Sequence, residues 1–556
     1  MRGIWILCKA ALLASVLATS VYAADIVVDQ TCSLADAIRA ANTDEAVGGC
    51  PAGAGADVIT LTTNVTLWAD LPRVSSNVTL EGNNFWISGA SAYRIFYVET
   101  KGKLSIAGLT LRGGTAGSES APDYEHEHGG AIYSEGELSI EDCTLLENSA
   151  GRGGAIYNRG KLSVSGSEFS GNTASLGGAI HNAGVMRLSA TTFSDNSAEH
   201  DGGGIANYAD LQVSDSHWSG NSADEGGAID NRGALSVSAS NFADNSAYYE
   251  GGAIYNREKL SVRGSEFSSN TASLGGAIHN EIDLNIDGST FADNAAYIGG
   301  GINNLGELNV SGSTFRGNKA GTGGAINNSA IDSPGRAMLV NSVFTGNVAN
   351  GAGALSNDGE LSLMDSEISR NTALFGAGIA NAGTLSISNS TLAANSAEYD
   401  DSAASDDEIV SMGGGIFVLG QEDHISNVFL THVTLARNSA DVGGGINIVD
   451  SPYAIVSLRN SIAADNSGGD CLGDLRNSAF SLIMDGSCDA EFSGDPMLGD
   501  LVIPEDGSPS YFPLLAGSPS IDAAKSDFCS ETDQIGTARP QGKACDIGAI
   551  EFVSDK

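Results

Sequence analysis

The sequence predicts an all-β protein, a right-handed parallel β-helix of about 13 or more coils, and two repeated markers carry this prediction. The first marker is Gly-Gly-Ala-Ile-Xaa-Asn, as at residues 153–158, and its isoleucine recurs every 24 or 25 residues from Ile132 to Ile326. The second is a large apolar residue three positions before an asparagine, as at Phe169 and Asn172. A fixed period of this length indicates stacked supersecondary units that cannot bury their apolar faces alone.

Each period has the pattern of short strands separated by turns. Residues 154–158 and 161–165 alternate apolar with polar side chains, and Gly, Asn and Ser fill the gaps between them. No stretch inside the repeats has apolar residues at helical spacing over ten positions, and 72 glycines are too many for helices. Short strands that stack on their copies form parallel sheets along a rod, which lengthens by about 4.8 Å per coil.

Each repeated residue has a place in this geometry. Ile156, Leu162 and Phe169 would point inward and stack on their copies, and the glycine pair would allow close backbone approach or a positive φ where the coil bends. The asparagines of the second marker would lie at a corner, where stacked amides form an asparagine ladder. We interpret them as architecture rather than ligands: Asn172, Asn196, Asn221, Asn245, Asn270, Asn294, Asn318 and Asn347.

Both ends of the chain depart from the repeat. Residues 1–23 are typical of a secretory signal peptide, with Arg2 and Lys9 before a short apolar run and Val21-Tyr22-Ala23 at the expected cleavage site. Residues 24–116 are expected to form an N-terminal cap and the first coils, residues 117–466 the repeats, and residues 467–556 a C-terminal cap. A Ser-Xaa-Xaa-Asp start at Ser33 predicts a helix over residues 33–42 that covers the open end of the rod.

The cysteines are compatible with an exported protein. Six of them fall into three sequence-near pairs, for which we predict disulfides: Cys32 with Cys50, Cys471 with Cys488, and Cys529 with Cys545. Cys143 lies in the apolar part of a repeat and is interpreted as a buried thiol, because no nearby motif would activate it as a nucleophile.

Charge and hydropathy limit the partners. The net charge is −41, which disfavours nucleic acid as a partner. After the signal peptide no segment approaches eighteen apolar residues, so no transmembrane segment is expected in the mature chain.

Three segments resemble known families of secreted bacterial proteins. Residues 32–42 and 57–61 resemble the CSLREA domain, with Ala35 and Asp36 in place of that family's Arg-Glu, and the two repeat markers resemble the repeats of polymorphic outer membrane proteins. Residues 495–496, 514–522, 533–536, 539–540 and 545–551 resemble the choice-of-anchor Q domain. These resemblances imply a secreted protein or one on the cell outer membrane surface, and they imply no particular biochemical activity.

Candidate binding residues are sought where the period is broken, because inserted loops often build the functional site of a repeat protein. The breaks are residues 117–128, 329–336, 398–412 and 419–427. Two of these breaks contain candidate metal ligands: His126 and His128 in residues 117–128, and Asp400, Asp401, Asp406 and Asp407 in the acidic loop 398–412. Ca²⁺ is the cofactor considered for the acidic loop. In both cases the alternative is a solvated loop that binds no metal. His181 and His279 occupy the variable Xaa slot of the first marker and are interpreted as surface substitutions.

Two functions remain open. The first is an interaction scaffold or adhesin that contacts polysaccharides, other polymers or cell surfaces through the exposed faces of the rod. The second is a polysaccharide lyase or glycoside hydrolase with its site in the loops between residues 398 and 427, although no residue can be assigned a catalytic role. Lyase chemistry on this fold requires a cationic base beside carboxylates, and the chain has 27 Lys and Arg against 68 acids, which favours the scaffold.

Overall fold

The chain forms an all-β parallel β-solenoid of about 17 turns with almost no helix, as the repeats predict. This computed structural model describes residues 23–116, 127–330, 335–398, 410–422, 425–449 and 452–554. It has more turns than there are markers, because the strands before residue 129 build coils without the Gly-Gly-Ala-Ile sequence.

The strands stack in four columns along the rod, and every named strand pair is parallel. The long column consists of Asp25–Val28, Ala56–Leu61, Asn77–Glu81, Lys103–Ala107, Glu137–Glu141, Lys161–Ser165, Val185–Ser189, Leu211–Ser214, Leu235–Ser238, Lys259–Arg263, Asp283–Asp287, Glu307–Ser311, Arg336–Val340, Glu360–Met364, Thr384–Ala393, Ser426–Ala436, Ala454–Arg459 and Asn477–Ala479. The short column consists of Val65–Thr66, Trp86–Ser88, Thr110–Arg112, Thr144–Leu146, Glu168–Ser170, Thr192–Ser194, His217–Ser219, Asn241–Ala243, Glu266–Ser268, Thr290–Ala292, Thr314–Arg316, Val343–Thr345, Glu367–Ser369, Ile462–Ala464 and Leu482–Ile483.

The first marker forms a third column, which we call the slot column: Phe96–Val98, Ile132–Ser134, Ile156–Asn158, Ile180–Asn182, Ile205–Asn207, Ile229–Asn231, Ile254–Asn256, Ile278–Asn280, Ile302–Asn304, Ile326–Asn328, Leu355–Asn357, Ile379–Asn381, Ile416–Val418, Ile446–Ile448 and Cys471–Leu472. The fourth, or ridge column, lies just before it: Ser149–Arg152, Thr173–Leu176, Ser197–Asp201, Ser222–Glu225, Ser246–Glu250, Lys319–Thr322, Val348–Gly351, Thr372–Ala373 and Ser396–Ala397.

The register between coils keeps like residues on like residues. Leu162 pairs with Leu138 on one side and with Met186 on the other, so each core side chain meets an apolar neighbour above and below. Because side chains alternate across a strand, Lys161 and Ser163 on the same strand face outward and are exposed. One apolar core therefore runs along the rod.

An aromatic stack fills the core beneath the short column. The rings of Phe169, Phe193, Trp218 and Phe242 are nearly parallel, with centroid separations of 4.8, 4.1 and 5.4 Å. Trp218 is larger than the phenylalanines, and the same coil has Gly204 where most coils have alanine. A Cβ at Gly204 would lie 2.9 Å from the indole Cζ3 atom, so the third glycine of this marker makes room for the tryptophan.

The paired glycines of the marker serve two different purposes. Gly177 has a φ of 67°, a backbone conformation that favours glycine. A Cβ on the next residue, Gly178, would lie only 2.1 Å from the carbonyl oxygen of Gly203 in the following coil. The first glycine therefore allows the bend, and the second allows the coils to approach each other.

The asparagines at the corner after the short column are buried and bonded along the rod. Asn245 accepts a hydrogen bond from Asn221 Nδ2 at 2.9 Å and donates one to Asn270 Oδ1 at 3.0 Å. Its Nδ2 also donates to the Trp218 carbonyl, and the same pattern links the successive asparagines from Asn148 to Asn438. The adjacent aspartates Asp195 and Asp244 have φ values of 53° and 56°, which is the backbone geometry of a tight turn.

Helix Leu34–Thr43 packs on the first strands and is capped by Ser33, whose Oγ accepts a hydrogen bond from the Asp36 amide. The C-terminal segment lies along the side of the last coils. The Ser510 amide donates to Glu367 Oε2 at 2.7 Å, and Phe512 packs on Ala393 and Ala436. In an earlier coil, Glu168 occupies the position equivalent to Glu367 and is exposed.

The three predicted disulfides are present, linking Cys32 to Cys50, Cys471 to Cys488, and Cys529 to Cys545. Cys143 is a buried free thiol, and burial raises its pKa to about 11. Among the described residues, no helix has the length and apolar character needed to cross a membrane.

Candidate functional site

Most of the predicted metal ligands lie outside the described residues: His126, Asp400, Asp401, Asp406 and Asp407. His128 is described. It is buried, and its ring stacks on Tyr157 at a centroid distance of 4.6 Å. In the described part of the chain, no group of three or more His, Cys, Asp or Glu residues could hold a metal ion.

The variable slot of the first marker does not lie on an open surface. His181 and His279 are only 4% and 2% exposed, so their interpretation as surface substitutions is wrong. The slot side chain points away from the core, but it is flanked by the last residue of the ridge strand and by the residue that follows the slot strand. We call this three-row surface the central furrow.

The N-terminal part of the furrow is aromatic. Tyr97, Tyr133, Tyr157 and His181 form a continuous stack with ring centroids 4.8 to 5.2 Å apart. Burial lowers the pKa of His181 to about 3, so this imidazole is neutral at physiological pH. The ring faces contact one another rather than solvent, which prevents them from stacking on a ligand.

The next coils of the furrow carry a charged network. Arg232 Nε lies 2.8 Å from Asp230 Oδ2, and its Nη2 donates to Asp201. Arg257 donates to Glu225, and its Nη1 lies 3.8 Å from Asp230 Oδ1.

Two tyrosines border this network. The Tyr255 hydroxyl donates to Glu281 at 2.5 Å, and its ring lies 4.0 Å beneath the Arg257 guanidinium carbon. The Tyr208 hydroxyl donates to Asp201 at 3.3 Å. The two arginines therefore join carboxylates and tyrosines of four successive coils.

The electrostatics of the furrow depend on burial. The Asp230 side chain is fully covered, and burial raises its pKa to about 7 against the opposing effect of Arg232 and Arg257. Burial also raises the pKa of Tyr208 to about 12, and burial together with the bond to Glu281 raises that of Tyr255. Both phenols stay protonated at neutral pH, so neither is suited to act as a general base.

Asp230 could exchange a proton near neutral pH, but a general acid must come within hydrogen-bond reach of the reacting group. Its Oδ1 has no hydrogen-bond partner, yet the side chain has no exposed surface. Both arginines are already paired with carboxylates. The network therefore closes the outer layer of the rod, and binding there would require Arg232 and Arg257 to move.

The ridge column explains why the period alternates between 24 and 25 residues. Strands Ser197–Asp201 and Ser246–Glu250 have five residues where Thr173–Leu176 and Ser222–Glu225 have four, and the register shifts at these points. One inserted residue accommodated as a β-bulge adds one to the period while the flanking strands stay in register.

A second surface lies on the outer face of the long column and is open to solvent. Three shallow depressions of about 500, 440 and 360 Å³ follow one another along the rod. The first two share Ser261 and Asn285, and the last two share Asn309 and Met338. We call this continuous surface the strand-face trough; it extends from Leu211–Ser214 to Thr384–Ala393.

Comparison with known proteins identifies the repeats. Five segments match the model of the Chlamydia polymorphic membrane protein repeat: residues 142–159, 166–183, 190–208, 239–257 and 264–281. The chain thus carries repeats of this type on a parallel β-solenoid. No curated protein matches the chain.

Two solved structures show a distant likeness. The PL6 family alginate lyase AlyGC has 13% identity and a TM-score of 0.29, with 83% of this chain and 72% of that chain covered. The alginate lyase AlyF-OU02, in complex with G6, has 11% identity and a TM-score of 0.27, with 88% of this chain and 95% of that chain covered.

Sequence reasoning interpreted the variable slot as a surface position and missed the charged network. Asp230 occupies the slot itself, whereas Asp201 and Arg232 lie one row to either side. The sequence does contain a signal for this network. Asp201, Glu225 and Glu250 recur at the ends of successive ridge strands, and Arg232 and Arg257 recur directly after slot strands. The strand-face trough was also missed, because serine and asparagine at outward positions are ordinary on a solvated sheet.

Proposed function

We propose that the protein is a secreted or outer-surface β-helix that acts as an interaction scaffold, in the manner of an adhesin. One observation carries the proposal: the outer face of the long column stays in register and open to solvent over many coils. Strands Lys161–Ser165 and Lys259–Arg263 both keep their outward side chains exposed while their inward side chains are buried. A rod with this surface offers exposed outward side chains at regular intervals along its axis.

The matched repeats support a location at the cell surface. They are of the type named for a polymorphic membrane protein, which favours association with the outer membrane. The segment typical of a signal peptide, residues 1–23, adds an expected export route. The CSLREA-like and choice-of-anchor Q-like ends belong to the same proposal.

A fractionation experiment tests the location. The producing cell is separated into outer membrane, periplasm and medium, and intact cells are treated with a protease that cannot cross the outer membrane. We expect the protein in the medium or in a protease-sensitive form on intact cells. Accumulation only in the cytoplasm would overturn the proposal.

A binding assay tests the interaction itself. Purified protein is labelled and presented to cells, extracellular matrix and a polysaccharide panel, with reducing-sugar and unsaturated-product assays run in parallel. We expect saturable binding without turnover. Turnover of any polymer in the panel would instead favour the alternative, a polysaccharide-degrading enzyme.

A further inference from the structure

We propose that the strand-face trough binds a linear, uncharged polysaccharide that lies along the rod axis. This inference rests on the proposed function and names the ligand class for it. The trough crosses eight long-column strands, from Leu211–Ser214 to Thr384–Ala393. Since parallel strands are about 4.8 Å apart, the trough is about 34 Å long, which suits an extended polymer better than a compact ligand.

The floor of the trough consists almost entirely of small or amide side chains. They face outward at the centre of successive strands: Gln212, Ser236, Ser261, Asn285, Asn309, Met338, Ser362 and Ser386. Hydroxyl and amide groups both donate and accept hydrogen bonds, as the hydroxyls of a sugar require. Met338 is the single apolar side chain in this row, so the floor lacks the anchors that an apolar segment would need.

Charge argues against an acidic polymer. The rims of the trough carry five acids, Asp210, Asp283, Asp287, Glu307 and Glu360, and three bases, Lys259, Arg263 and Arg336. Their formal sum is −2, on a chain whose net charge is −41. Arg336 lies 3.1 Å from Glu360, and Arg263 lies 3.4 Å from Asp287, so two of the three bases already face carboxylates.

Backbone geometry argues against an extended peptide. Peptides that bind to sheets in extended form pair with the free backbone groups of an edge strand. The trough is the face of a sheet whose strands pair on both sides, as Lys259–Arg263 does with Leu235–Ser238 and Asp283–Asp287. Its available hydrogen-bonding groups are therefore side chains, which suit a hydroxyl-rich ligand.

Repetition favours a polymer over a single sugar. Each coil contributes one floor side chain, and Asn309 Nδ2 lies 3.0 Å from Asn285 Oδ1, which shows how neighbouring coils align their amides. A sugar residue in an extended chain is about as long as one strand spacing, so successive residues can meet successive coils. Contacts linked in one chain reinforce each other through effective concentration.

The test uses the purified chain and two tryptophan substitutions that fill the trough. Ser261→Trp and Asn309→Trp are combined, because both side chains are exposed and lie where adjacent depressions meet. Ser163→Trp is the matched control, since Ser163 is equivalent to Ser261 on the same column but lies outside the trough. Unchanged circular dichroism of both variants confirms folding.

Binding is measured by affinity electrophoresis and calorimetry with soluble linear mannan and mixed-linkage β-glucan, with polygalacturonate and chitosan as charged comparisons. We expect binding of at least one neutral polymer, at least a tenfold loss in the double variant, and no change in Ser163→Trp. Absence of neutral-polymer binding, tighter binding of either charged polymer, or equal binding by the double variant would overturn the inference. The failure of this inference can be distinguished from failure of the proposed function. If one of these results occurs but the double variant is still exposed at the surface and still binds cells, the proposed function stands and only the assignment of the trough fails.

Discussion

The central furrow and the strand-face trough lie on the same coils of one rod, yet their polar side chains have opposite environments. In the furrow, Asp230 is fully covered and Arg232 contacts two carboxylates. In the trough, Arg263 and Asp287 are 76% and 55% exposed and form one ion pair at 3.4 Å. The difference shows that an outward-facing side chain becomes buried when the side chains in the rows on either side are long enough to cover it.

This contrast separates side chains that stabilise the rod from those available to a partner. Buried charges must satisfy one another, since an isolated buried charge is costly. Exposed charges in the trough are screened by water and contribute little to stability. Substitutions matched between the two surfaces should therefore differ in stability cost.

The largest difference in stability cost between the two surfaces is expected for the substitution of an arginine. Replacing Arg232 with alanine removes the closest cation from Asp230 and leaves a buried carboxylate poorly compensated, so we expect a loss of about 4 kcal/mol in the free energy of unfolding. Arg263→Ala in the trough should cost less than about 1 kcal/mol. Urea titration followed by circular dichroism measures both, and equal costs would contradict the contrast between the surfaces.

The pH dependence of stability should also distinguish the furrow. The pKa of Asp230 is raised to about 7 in the folded protein from the ordinary aspartate value of 3.8. Between these values the folded state binds more protons than the unfolded state, so the contribution of Asp230 to stability falls as pH rises from 4 to 7.

Asp230→Asn should therefore gain stability relative to the native protein across this interval, by at most about 4 kcal/mol, since the pKa rises from 3.8 to about 7 and each pKa unit is worth about 1.4 kcal/mol. Unfolding free energies measured at pH 4, 5.5 and 7 test this. Ser236→Ala, which changes no titratable group, should give a profile parallel to that of the native protein. A parallel profile for Asp230→Asn as well would mean that Asp230 does not titrate in this range.

The sequence predicted the regular features because each is local to the repeat. The spacing of Ile156, Leu162 and Phe169 implies three inward strands, and the asparagine at a fixed distance from the phenylalanine implies a stacked corner. Alternation and turn residues are sufficient for such inferences, since they depend on neighbouring positions and on identical coils above and below.

The covered surfaces were harder to predict because they depend on contacts between different columns. Whether His181 is buried depends on the ridge and on residues after the slot strand, which no periodicity encodes. The same applies to the C-terminal segment, which covers the side of the last coils. Its signal in the sequence is weak: Ala393 and Ala436 make room for Phe512, but Ala243 and Ala292 occupy the same position in earlier coils.

A third pair of variants compares the interior of the rod with the trough and should give the smallest of the three effects. Asn245 is fully buried and makes ladder hydrogen bonds to the coils on both sides. Asn245→Ala leaves buried partners unsatisfied, so we expect a loss of roughly 1–3 kcal/mol in the free energy of unfolding. Asn309 also bonds to an asparagine of the preceding coil, at 3.0 Å, but is exposed. Asn309→Ala should leave the urea midpoint nearly unchanged, because water replaces the lost bond. If the two substitutions had equal effects, the ladder would contribute no more than a surface contact, and the stability of the rod would have to come from its apolar stack alone.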